Sequence, residues 1–477
     1  MCSNDENLNL YGLCIIKDFL SINENNNEKE ILILLEQLNE EYLSYLIKLL
    51  NKGNNQLSNI VLWILFNLSY FDYSDVIFTL NLDIIYKISL FLGNHKNNKI
   101  LTYKGLLLLN NITANNMVIK NLFLKYNIFQ YFLEVYEKYY LDNRFINKLL
   151  MCIGNFIINP CKEYVNQYFL IIKIIKSQIN SSTKIIYLNK YIFYIYNLLS
   201  YNICEINNEI IKENIFKDLI DIYPFKDFKN KMYNNNNLIN DEEKKDKEYL
   251  VKMKLLILKT LGKIISLDEN GLIAGKIIDY NITDFLNKII DESANDIKII
   301  RNAAFCISNL CVESYEFINK LYNEGICLKL IKIGENIYKA LKYDIEPKED
   351  QIEELNKTFS EICYVLGLII NNSIYEKLLP LVKYNNFIVI NFIIEALKIF
   401  QNNIQLIDLC LNSLYHLISY DKAIEGYNYS IRISELNVSF SEFMDRNGIK
   451  SILENYIIND NKEICKLADK LYNIIYS

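Results

Sequence analysis

Apolar residues recur along this chain at a helical period. In RFINKLLMCIGNFII, residues 144–158, they fall at 145, 146, 149, 150, 153, 156 and 157, one face of a helix with about 3.6 residues per turn. The pattern returns in LTYKGLLLLNNIT, NKYIFYIYNLLSY, LLILKTLGKIIS, IIRNAAFCISNLC, SEICYVLGLIIN and LCLNSLYHLISY. Ile and Tyr favour strands as single residues, but a sustained apolar face outweighs so weak a propensity. An all-α chain is expected.

Laid on their common apolar frame, these helices share a position held by Asn67, Asn111, Asn155, Asn197, Lys263, Asn309, Gly367, His416 and Asn473. Asn67, Asn111 and Asn155 stand 44 apart and Asn197 follows after 42, a period typical of two- or three-helix solenoid repeats. A second landmark checks the frame. A short polar residue followed by an apolar one recurs at Asp83–Ile84, Asn127–Ile128, Asn281–Ile282, Gly325–Ile326, Asn386–Phe387 and Gly448–Ile449. Gly, Asn and Asp accept the left-handed backbone that tight turns demand. The distance from Ile84 to Asn111, from Ile128 to Asn155 and from Ile282 to Asn309 is 27 residues each time. An irregular helical domain has no reason to repeat that number.

The longer spacings are assigned to inserted loops at 225–249, 342–354 and 426–442, the first strongly charged, the second containing Pro347. Residues 1–34 are read as an N-terminal helical cap with a polar linker, and 35–477 as the repeat array.

Composition supports stacking over separate globules. A chain of 477 residues ordinarily divides into domains, but 13 Gly and 4 Pro are too few for a turn-rich β protein, and 51% apolar residues supply an ample core. The 51 basic and 57 acidic residues give a net charge of -6, which opposes a large nucleic-acid footprint and suits basic partners. The eleven cysteines include no CxxC pair. Cys152, Cys306, Cys363, Cys410 and Cys465 lie in apolar helical runs and read as small buried hydrophobes of a reducing compartment, the cytoplasm or nucleus. MCSNDENLNLY lacks the basic start and apolar core of a signal peptide, and no uninterrupted apolar run reaches membrane-spanning length.

Raw material for catalysis is thin. His95 and His416 are the only histidines and lie 321 residues apart, away from any ligand spacing or nucleophile. GLIAGK, residues 271–276, lacks the glycine spacing of a phosphate loop, and Ile277 stands where Ser or Thr would hold magnesium. SLDENGLIAGKI lacks the end ligands of a calcium loop, and SSTK at 181–184 lacks its companion motifs. No cofactor, no metal and no enzymatic activity are expected.

A turn of Gly or Asn followed by Ile, a second helix, and a third carrying WxxxNL at a period near 42 resemble the armadillo repeat. The resemblance spans roughly residues 35–477 and implies a right-handed armadillo-type α-solenoid of about nine helical repeats. LWILFNLS in particular resembles third helices of importin-α, adaptors that carry proteins with basic localisation signals. That likeness implies a concave groove in which Asn amides bond a peptide backbone and an indole wall flanks Lys or Arg stems. By residue-wise transfer Trp63 and Asn67 form the full pair. Asn111, Asn155, Asn197 and Asn309 match only the asparagine; Leu107, Met151, Phe193 and Phe305 stand where tryptophan would be. Phe193 and Phe305 could still wall the groove. The Arg- and Lys-rich start of importin-α has no counterpart, since residues 1–50 contain only Lys17, Lys29 and Lys48.

Two functions remain open on sequence grounds. One is a non-enzymatic scaffold, importin-α-like, that binds proteins or extended, basic peptide segments in the groove. The other is a structural or assembly protein, cytoskeletal or of a chaperone complex, that works through its convex face or inserted loops, with the asparagines bonding neighbouring backbone.

Overall fold

The computed structural model describes residues 6–22, 40–52, 54–69, 82–114, 116–180, 183–223, 241–267, 272–343, 349–425 and 439–476. Among these residues the regular structure is entirely helical, 25 α-helices and one short 3₁₀ turn. The chain divides into two compact units, Met1–Ile215 and Phe216–Ser477.

In the first unit the ladder helices are α1 (Asn55–Leu68), α2 (Lys99–Thr113), α3 (Asn143–Ile157) and α4 (Ile185–Ser200), each packed on the next, with Glu6–Ile22 against α1. Behind them Glu40–Leu50, Leu82–His95, Ile128–Tyr139 and Val165–Gln178 form a second row, stacked in the same order. The core lies between the rows. Leu62, Leu106, Leu150 and Ile192, five residues before each ladder asparagine, are all buried, as are Leu65, Leu109, Ile153 and Ile195.

Recurrent capping marks the helix starts. Asn54, Asn98 and Asp142, each 13 residues before its ladder asparagine, accept backbone N–H bonds from the first turns of α1, α2 and α3. Each such cap contributes about 1 kcal/mol. In the repeat that ends in α4, the first helix shrinks to the 3₁₀ turn Lys162–Tyr164. There the buried Tyr168 hydroxyl donates to Phe156 O and accepts from the Cys161 N–H, both at 3.1 Å, in place of helix-to-helix packing.

The second unit stacks α5 (Asp241–Ser266), α6 (Ile297–Glu313), α7 (Glu349–Asn372), α8 (Ile404–Glu425) and α9 (Lys462–Tyr476). Asp296 caps α6 as Asp142 caps α3.

The expected left-handed turns occur at Asn127, Asn281, Gly325 and Gly448, with φ of 58°, 61°, 72° and 79°. Asn214, with φ 53°, makes the same turn before Ile215 and was not anticipated. Two positions depart from expectation. Asp83 lies within the first turn of its helix, not in a turn ahead of it. At Asn386 the left-handed backbone runs on from Asn385 through Phe387, so Phe387 itself caps the following helix. That conformation strains an aromatic residue, and the burial of its ring against Phe440 and Phe443 holds it there.

The inserted loops are shorter than expected at their described ends. Residues 241–249 form the first turns of α5, 349–354 open α7, and 440–442 belong to the helix Phe440–Arg446. In α5 the charges fit a solvated helix face, with Glu248 and Lys252 paired one turn apart at 2.8 Å. In α7 the leading Glu349 and Asp350 suit a helix N-terminus. Residues 225–240, 344–348 and 426–438 lie outside the described residues, as does the linker from 23 to 34. GLIAGK runs into the helix Leu272–Asp279. No single described helix is long and apolar enough to cross a membrane.

Candidate peptide-binding face

Each ladder helix of the first unit buries one side and leaves a stripe partly open. Relative to the ladder asparagine, the open positions are the asparagine itself and the residues four and seven before it, joined in α1 to α3 by the residue eight before, and these share one helical face. The stripe therefore carries Asn67, Asn111, Asn155 and Asn197 in one column and Trp63, Leu107, Met151 and Phe193 in the next, one turn back. Trp63, Leu107 and Met151 are half-buried, and Phe193 is 45% exposed. The structure thus brings six predicted residues, Trp63, Asn67, Asn111, Asn155, Asn197 and Phe193, onto successive helices of one unit. Phe305, 37% exposed, and the half-buried Asn309 repeat the arrangement on α6 in the second unit.

The asparagines do not all use their amides alike. Asn67 Nδ2 donates to Trp63 O of its own helix at 2.7 Å. Asn111 Nδ2 reaches Ser69 Oγ at 3.1 Å, just past the end of α1. Asn155 Nδ2 donates to Asn110 O of α2 at 2.7 Å, and Asn309 Nδ2 to Gly262 O of α5 at 3.2 Å. The Asn197 side chain makes no hydrogen bond among the described residues. At least one amide donor is thus committed to helix stacking at Asn155 and Asn309.

A parallel set of bonds runs beneath the stripe. Cys152 Sγ donates to Leu106 O at 3.1 Å, Tyr194 Oη to Leu150 O at 2.8 Å and Cys306 Sγ to Leu258 O at 3.0 Å. Every one joins the residue three before a ladder position to the carbonyl five before the ladder position of the preceding helix. Ser413 Oγ reaches Gly367 O at 3.2 Å. Ser413 is three before His416, so toward α8 the ladder position of α7 is Asn372 and not Gly367. Asn372 Nδ2 indeed bonds Leu368 O at 2.9 Å, as Asn67 bonds Trp63 O. His416 stacks edge-on with Tyr420, its Nε2 buried without a partner among the described residues, and burial lowers its pKa. Glycines admit the close approach: a Cβ on Gly154 would stand 2.6 Å from Tyr194 Oη, and one on Gly262 2.7 Å from the Phe305 ring.

Cys152, Cys306, Cys363 and Cys410 are buried as expected, and burial pushes the Cys306 thiol up to about 12. Cys465 is only half-buried, with its thiol on Ile457 O.

Sequence reasoning passed over one column of the stripe, seven before the asparagines, where Lys104, Lys148 and Lys190 follow Ile60. Their spacings of 44 and 42 repeat those of the asparagines and would have found them.

No family model matches the chain, and no curated protein matches it by sequence. Among solved structures it is similar to one from work on a phosphorylation switch in the interaction between cadherin and β-catenin. The TM-score is 0.67 at 12% identity, covering 99% of this chain and 81% of that one. An engineered protein aligns with a TM-score of 0.65 at 11% identity, over 100% of this chain and 97% of its own. A designed armadillo repeat protein in complex with the peptide (KR)4 aligns over 63% of this chain and 98% of its own, at 14% identity and a TM-score of 0.40. At such identities the likeness is one of fold. The chain is an armadillo-type α-solenoid.

Proposed function

We propose that this chain is a non-enzymatic protein-binding scaffold, cytoplasmic or nuclear, and that α1 to α4 hold an extended peptide across their open stripe. The observation that carries the proposal is the repetition of one partly open face, with an apolar or aromatic column beside an asparagine column, on four successive packed helices. Neighbouring helices stand about 8 to 10 Å apart and an extended strand advances about 3.3 Å per residue, so each helix meets about three peptide residues. Asn197 keeps its full amide for such a strand. Bonds of about 0.5 to 1.5 kcal/mol each leave most of the affinity to apolar anchors, since ordering a peptide costs a comparable amount. Trp63 and Phe193 are those anchors. With one indole in the ladder, peptide holding is proposed here rather than the nuclear-transport role of importin-α. The β-catenin structure, drawn from an interaction between two proteins, is consistent with a binding role.

A structural reading has its own support, because Asn155 and Asn309 spend an amide donor on the preceding helix. One experiment separates the two. Proteins captured from cell extract by the parent chain are compared with those captured by Trp63→Ala/Asn67→Ala, and both chains are melted. Loss of specific partners with melting nearly unchanged is expected. Identical partners together with a melting temperature several degrees lower would assign the face to stability alone, since a half-buried Trp packed for stability would give up a good part of the about 3 to 5 kcal/mol that a fully buried one costs.

A further inference from the structure

Among the described residues, the lysine column of the first unit has no ion-pair partner. Lys104 Nζ donates to Asn59 O at 3.4 Å, Lys190 Nζ to Asn147 Oδ1 at 3.0 Å, and Lys148 Nζ lies 3.9 Å from Met151 Sδ. All three contacts are with neutral atoms. Helices α1 to α4 together carry Lys99, Lys104, Arg144, Lys148 and Lys190 and not one Asp or Glu, in a chain where acids outnumber bases by 57 to 51. The adjoining Glu6–Ile22 helix adds Glu6, Lys17 and Asp18. Five acidic residues elsewhere in the unit are paired with other lysines: Asp83 with Lys87, Glu134 with Lys96, Asp142 with Lys99, Glu209 with Lys212 and Glu213 with Lys176.

The lysines also crowd one another. The pKa values of Lys104 and Lys190 are lowered first by burial and then by the charges of Lys17 and Lys148 respectively. Three half-buried ammonium groups in a row, each one turn from Leu107, Met151 or Phe193, form a surface whose charge is left for something else to balance.

We infer that this face takes an acidic extended peptide, its carboxylates against Lys104, Lys148 and Lys190 and its apolar side chains against Trp63, Leu107, Met151 and Phe193. The inference rests on the proposal that α1 to α4 hold a peptide, and it reverses the basic partner that the importin-α likeness implies. The fit is geometric as well as electrostatic. At about three peptide residues per helix, a carboxylate at every second or third position falls within reach of successive lysine stems. Nucleic acid is disfavoured, because three lysines release few counterions and the chain as a whole is acidic.

The test uses the full chain and three fluorescein-labelled twelve-residue peptides on one leucine-containing frame, differing only in Glu, Gln or Lys at the charged positions. Anisotropy titrations at low ionic strength should show the Glu peptide binding roughly tenfold more tightly than the Gln peptide, with the Lys peptide weakest, as expected for three partly exposed ion pairs. Added salt should erase the preference. The variant K104Q/K148Q/K190Q should bind the Glu and Gln peptides alike, and K104R/K148R/K190R should keep the preference; if the glutamine variant melts early, the arginine variant together with the salt series decides. Gln or Lys peptides binding as well as the Glu peptide would overturn the inference while leaving peptide holding intact. Binding of none of the three would count against both. A twelve-nucleotide RNA that outcompetes the Glu peptide would also overturn the inference, assigning the lysines to phosphate.

Discussion

Among single residues, the ladder asparagines divide by what their amides already do. Asn155 bonds Asn110 O and also lies 3.3 Å from Thr113 Oγ1, whereas Asn197 has no such bond among the described residues. Asn155→Ala is therefore expected to lower stability by about 1 to 2 kcal/mol in chemical denaturation. Asn197→Ala should stay within about 0.5 kcal/mol and show its effect in peptide binding instead. Equal losses of stability would refute this division. The column of asparagines was legible in the sequence, but whether an amide faces a neighbouring carbonyl or solvent depends on the offset between helices. The lysines carry a prediction of opposite sign. A lysine whose folded pKa lies below its ordinary 10.5 opposes folding while charged. That cost is fully present below the folded-state pKa and is lost as pH rises past the unfolded value. Lys190→Met should thus raise the melting temperature at neutral pH, and the gain should fade toward about pH 11. A melting temperature that falls at neutral pH would show that the Asn147 bond outweighs the charge.

For helices and turns, close approach is set by residues without side chains. Gly154 lets Tyr194 lie across α3 and donate to Leu150 O. Gly154→Ala should push that buried hydroxyl off its acceptor and cost about 1 to 3 kcal/mol, visible as a lower denaturation midpoint, with partial recovery in Gly154→Ala/Tyr194→Phe. No recovery in the double variant would place the strain elsewhere. Turn positions with Asn or Gly were readable because those residues tolerate φ near +60°. Phe387 was not, since nothing in an aromatic residue signals a left-handed cap; tertiary packing on Phe440 and Phe443 imposes it. Asn214 escaped notice among short, charged helices. Residues 241–249 resembled a loop because a helix that faces water needs no apolar stripe, only charge pairs one turn apart.

Considered whole, the chain was readable as a stacked helical array from its period, its low Gly and Pro content and its turns. The division into units at Ile215 and Phe216 was not, because each repeat looks locally like the next and cooperativity depends on how much surface neighbours share. Each unit has its own compact core, so calorimetry of the full chain is expected to resolve more than one unfolding transition. A single transition with equal calorimetric and van't Hoff enthalpies would contradict that expectation. The overall charge of -6 is an average over the chain and does not disclose that the sequences of α1 to α4 contain no Asp or Glu.

The bonds that the ladder frame repeats from helix to helix run in one direction, although Arg301 and Asn371 reach forward to Glu354 and to Leu409 O. Asn155, Cys152, Tyr194, Asn309 and Cys306 all donate to carbonyls of the helix before them, none to the helix after. During synthesis a newly made helix in either unit therefore finds its acceptors already in place on the segment that left the ribosome earlier. The array can be laid down course by course, from its beginning, without waiting for sequence still to be translated.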